Sequence, residues 1–139
     1  MNTDLADETY QVDIKIDYVF NSGPGPKSSS DSTTGQGIST ISLEDAGALA
    51  LNNVKQNIPK KISYVGVSLK VYDYKTFNGV TTNFTASGSG SATSDPKSNS
   101  STILQSAYNS AFQAASDSLS YAEGLMNHIG SHYSDGPKE

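Results

Sequence analysis

Tyr10-Gln11-Val12-Asp13-Ile14-Lys15-Ile16-Asp17-Tyr18-Val19-Phe20 decides the fold. Tyr10, Val12, Ile14, Ile16, Tyr18 and Phe20 occupy every second position, and Gln11, Asp13, Lys15 and Asp17 lie between them. Successive side chains of a strand point to opposite sides. A period of two therefore puts one face against a core and leaves the other in water. An antiparallel sheet covered on one side only has this pattern.

Working outward, Asn21-Ser22-Gly23-Pro24-Gly25-Pro26 is a cluster of turn formers, and a serine-rich run follows to Thr34. The composition predicts a long flexible loop over 21–36, with a short returning strand over 37–41. Ser42-Leu43-Glu44-Asp45 reads as a capping box, in which the hydroxyl takes a backbone N–H and the acid reaches back. Leu43, Ala46, Leu49, Ala50, Val54 and Ile58 recur at helical spacing up to Pro59, which ends the helix. A second strand is expected over 62–74, with Val65, Val67, Leu69 and Val71 on its apolar face. Asn78-Gly79 signals a hairpin turn into a returning strand over 80–86. Residues 87–101, rich in Ser, Gly and Thr, read as a second flexible loop.

The longest periodic signal comes last. Leu104, Ala107, Tyr108, Ala111, Phe112, Ala115, Leu119, Ala122, Met126 and Ile129 form one helical stripe, which Gly130 is expected to stop. Residues 1–8 and 131–139 read as polar tails. Val12-x-Ile14-Lys15-Ile16 is echoed by Val67-x-Leu69-Lys70-Val71, and each is followed by a turn, a Ser/Thr-rich segment and an Ala-rich helix. The predicted architecture is a single α+β domain over 1–139. It is a two-layer sandwich in which an antiparallel four-stranded sheet carries two helices on one face, in the order β-β-α-β-β-α.

Composition narrows the function. There is no cysteine among the 139 residues, which removes disulfides, thiolate metal ligands and thiol nucleophiles. The net charge is −5, and every basic residue is a scattered lysine. Without arginine forks or a basic stripe, no nucleic-acid binding is expected. No apolar run approaches the ~20 residues that span a bilayer, so no membrane insertion is expected. The N-terminus is unlike a signal peptide, so the expectation is a cytoplasmic location or an assembled particle, with prior removal of a leader as the alternative.

Motifs with chemistry are weak. His128 and His132 share a helical spacing, but Gly130 lies between them and no HExxH pattern is present, so they read as exposed side chains. Asp13 and Asp17 flank Lys15 on the wet face of the first strand, where nothing apolar would raise a carboxyl pKa. Ser87-Gly88-Ser89-Gly90-Ser91 lacks the lysine and spacing of a phosphate-binding loop. No enzyme activity, cofactor or metal is expected from these motifs.

The eight tyrosines stand out, because a tyrosine joins apolar area to a polar tip and suits interfaces. Tyr64 and Tyr72 point opposite to the valines of their strand. The end of the last helix, if it overhangs a short sheet, exposes apolar side chains. Tyr64, Tyr72, Tyr121, Leu125, Met126 and Ile129 are the interface candidates. The expectation is a non-enzymatic structural or protein-interaction subunit of a larger assembly (virion, pilus or secretion machinery), with self-association or a protein partner. The alternative is a small inhibitor or ligand-binding module.

Overall fold

A computed structural model describes residues 7–21, 28–93 and 100–135, with side chains in the last segment placed as far as Gly124. Strands β1 (Asp7–Asn21) and β2 (Ser28–Ser39) lead into helix α1 (Leu43–Val54), which ends in a single 3-10 turn. Strands β3 (Tyr64–Phe77) and β4 (Val80–Thr93) lead into helix α2 (Ser100–Asp135). The sheet order is β2-β1-β3-β4, and every neighbouring pair is antiparallel. This is the α+β architecture and the β-β-α-β-β-α order that the sequence predicts.

The alternation in β1 does what its period dictates. Val12, Ile14, Ile16 and Tyr18 are buried, and Val65, Val67, Leu69 and Val71 of β3 join them from the adjacent strand. The helices close this layer with Leu43, Ala46, Ala50, Leu51 and Val54 from α1 and with Leu104, Ala107, Tyr108, Ala111, Ala115 and Leu119 from α2. Leu49, placed on the α1 stripe by spacing, is instead 41% exposed, and Gly47 and Leu51 face inward. Ser42 caps α1 by accepting the Asp45 N–H at 3.0 Å. The Asp45 carboxylate does not reach back to the cap as predicted; it accepts the Ser39 hydroxyl at 2.8 Å and so ties the helix to the end of β2. Asn78 and Gly79 have φ of 53° and 79°, the left-handed pair that a two-residue hairpin turn needs.

Four expectations are corrected. Residues 28–36 are strand rather than loop: β2 pairs with β1 without interruption from Ser28 to Ser39. Residues 87–93 are likewise strand, and β4 pairs with β3 as far as Thr93. The supposed N-terminal tail contributes Asp7 and Glu8 to β1. Gly130 does not stop α2, which runs on to Asp135, so 131–135 is helix rather than tail. The strands, at 12 to 15 residues, are longer than the sequence suggests, and so is α2, at 36 residues. The remainder of both predicted loops, 22–27 and 94–99, lies outside the described residues.

Glycine explains the first two corrections. Gly35 and Gly37 of β2 lie under α1, and Gly88 and Gly90 of β4 lie under α2. A Cβ at Gly37 would stand 2.5 Å from the Ala50 nitrogen, and one at Gly90 would stand 2.6 Å from the Ala107 carbonyl oxygen. Helix backbone therefore rests almost directly on strand backbone. The two halves match in register: Gly35 pairs with Ile14 as Gly88 pairs with Leu69, and Gly37 pairs with Val12 as Gly90 pairs with Val67. Ile14 and Leu69 also pair with each other, at the centre of the β1–β3 ladder. An approximate two-fold axis passes between them and relates one ββα unit to the other.

Because the two atoms nearest a Cβ at Gly88 are helix backbone, Gly88→Ala must lift α2. Overpacking of this kind costs about 1–3 kcal/mol or more. Gly124, on α2, has open space around its Cβ direction. Gly124→Ala should therefore stabilise by up to about 1 kcal/mol through helix propensity. Urea denaturation of both variants checks the opposite signs.

Candidate functional site

Every second residue of each strand points away from the helices, and no described element covers that side. Across its middle run Gln36, Asp13, Lys70 and Ser87, followed by Thr34, Lys15, Ser68 and Ser89. The face is made largely of short polar side chains, with a depression of about 710 Å³ lined by Lys15, Lys70, Asp13 and Ser68 among others. Asp13 Oδ1 accepts the side-chain amides of Gln11 and Gln36, each at 3.0 Å. Asp17, its expected partner, is exposed further along β1.

The tyrosines divide between layers. Tyr72 stacks on Tyr74 with ring centroids 5.8 Å apart and planes 4° from parallel, and the Lys70 ammonium lies 5.5 Å from the Tyr72 centroid. Tyr64 lies on the same face near the other end of β3, with its ring over Gly66. Tyr121 is 72% exposed on α2, in the other layer, so the three tyrosines do not form one patch. Leu125, Met126 and Ile129 belong to α2, and their side chains lie outside the described residues, as do those of His128 and His132. Ser87 to Ser91 are part of β4 and not a loop.

A second cluster has the opposite character. Alternation along β3 puts Asp73 after Val65, Val67, Leu69 and Val71 on the covered face, where it is 2% exposed. Glu8 occupies the covered side of β1, two residues before Tyr10 and directly opposite Lys75. Glu123 follows Ala115 and Leu119 at helical spacing on α2. Carboxylate oxygens of Glu8, Asp73 and Glu123 all lie within 4.8 Å of one another. The Lys75 ammonium stands 3.8 Å from Glu8 and 4.0 Å from Glu123. Asp73 Oδ1 and Glu123 Oε2 are buried without a hydrogen-bond partner among the described residues.

Burial, and then the neighbouring Glu123, pushes the Asp73 carboxyl up from 3.8 to about 6. Burial and Asp73 also raise Glu8. The Tyr10 hydroxyl, desolvated and bonded to Glu8, is pushed up to about 12. Sequence reasoning did not single out these three acids. The available signal was an acidic residue at a position where the period of each element demands an apolar one.

Asp73 binds its proton more tightly folded than unfolded. Its contribution to stability is therefore complete below about pH 4 and is lost as pH rises through about 6. In EDTA, with no divalent cation present, the wild type should lose up to ~3 kcal/mol relative to Asp73→Asn across that interval, since each pKa unit corresponds to about 1.4 kcal/mol. Urea titrations of both proteins from pH 4 to 7 check this. Parallel pH profiles would contradict it.

Comparison with protein-family models, with curated proteins and with solved structures finds no match to this chain.

Proposed function

We propose that this protein is a structural subunit that assembles with copies of itself through the edges of its sheet. The observation that carries this reading is the state of β4. It is an edge strand 14 residues long, without a charged residue or a proline, and it pairs with β3 residue by residue from Val80 to Thr93 with no bulge. Edge strands of monomeric proteins are usually shortened, charged, bulged or broken by proline, because their outward N–H and C=O groups template another strand. The opposite edge, β2, is 12 residues long and carries one charge, Asp31.

The helix does not block this edge. The Cβ directions of Gly88 and Gly90, which leave the sheet at right angles, end on α2 backbone, so α2 lies over the face of β4. Serine, threonine and glycine along both edges lose little side-chain entropy on pairing, which favours main-chain recognition. A ligand-binding module is the second reading, favoured by the depression on the open face, whose volume falls within the usual range for small-molecule sites.

Sedimentation equilibrium separates the two. Assembly predicts a mass that rises with concentration. Thr85→Lys combined with Ser89→Lys puts charge on the exposed side of β4 and should shift the protein to monomer with an unchanged circular dichroism spectrum. A wild type that stays monomeric at every concentration overturns the assembly reading and leaves ligand binding.

A further inference from the structure

We propose that Glu8, Asp73 and Glu123 bind one calcium-sized divalent cation between the sheet and α2. The three carboxylates present oxygens within 4.8 Å of one another. A calcium ion bridges such a spacing at about 2.3–2.6 Å to each oxygen and completes its shell with water. The donor set is all oxygen, which suits a hard cation rather than zinc or copper. Among the described residues Lys75 alone offsets three acids, which leaves a net negative charge matched to a divalent ion.

The acids do not carry the argument by themselves. Asp73, a member of the cluster, is 2% exposed, and its Oδ1 has no hydrogen-bond partner among the described residues. Elsewhere in the molecule carboxylates find donors: Asp45 takes the Ser39 hydroxyl, and Asp13 takes two amides. A buried carboxylate oxygen left without one is costly, and a cation satisfies it and the buried Glu123 Oε2 together. The coordinating residues come from β1, β3 and α2, three segments distant in sequence. Calcium fits this better than magnesium, because it accepts an irregular shell assembled from separate elements. Bound there, the ion clamps α2 to the sheet one turn beyond the buried Leu119.

Calorimetric titration of the EDTA-treated full chain with calcium chloride, paired with thermal melting, tests the site. A dissociation constant on the order of 10⁻⁴ M, as in weaker calcium modules, is expected. At a hundredfold excess over that constant, the melting temperature should rise by about 5 °C or more. Asp73→Asn and Glu123→Gln should each abolish the shift while keeping the wild-type circular dichroism spectrum. No heat and no shift with calcium would overturn the proposal. So would an equal shift in both variants, which would place the ion elsewhere, and so would binding of magnesium in preference to calcium.

Discussion

Two helices rest on strand backbone at pairs of glycines, and the rest of the architecture follows from that contact. Gly35 and Gly37 seat α1, and Gly88 and Gly90 seat α2. The facing helix positions are correspondingly small: Ala46 and Ala50 on α1, and Ala107, Ala111 and Ala115 on α2. Close approach over the outer strands brings the larger side chains of each helix toward the central pair, β1 and β3, where the isoleucines, valines and leucine of the core project. A side chain at Gly37, Gly88 or Gly90 would meet helix backbone and lift its helix, and one at Gly35 would meet the Val54 side chain. The matched register makes this one design used twice, with Ile14 and Leu69 meeting at its centre.

The same contact explains what was legible in the sequence. The central strands could be read because their buried positions are β-branched or large, so the period of two stands out in Val12, Ile14 and Ile16 and in Val65, Val67 and Leu69. The outer strands bury glycine and alanine under a helix. A hydropathy pattern cannot distinguish that from a loop, so residues 28–36 of β2 and 87–93 of β4 read as loop, and only the end of β2 and the first half of β4 read as strand. The alternation was nevertheless present: Ala86, Gly88, Gly90 and Ala92 lie on the covered side of β4, and Ser87, Ser89 and Ser91 on the open side. Gly130 misled for a related reason. A glycine ends a helix only where the chain must turn, and here the helix continues.

The acidic cluster was hidden by the habit of reading charged residues as solvated. Glu8, Asp73 and Glu123 each occupy the covered position of their element, and only the pairing of β1 with β3 under α2 brings them together. The interface candidates follow from strand alternation and from the end of the last helix, and the tyrosines among them fall in two layers. Tyr64 and Tyr72 share the open sheet face, whereas Tyr121 stands on α2. The edges, which carry the assembly reading, are not legible in the sequence, because the full length of β2 and β4 and their outer place in the sheet order emerge only from the pairing.

Nuclear Overhauser contacts between the seating glycines and the helix amides test the central claim most directly. The account predicts strong contacts from the Gly88 α-protons to the Ala115 amide and from the Gly90 α-protons to the Ala111 amide. It predicts the equivalent contact from Gly37 to the Ala50 amide in the first unit. Loss of these contacts in a folded protein, with α2 contacts to β3 retained, would show that the helices do not rest on the outer strands and would contradict the account.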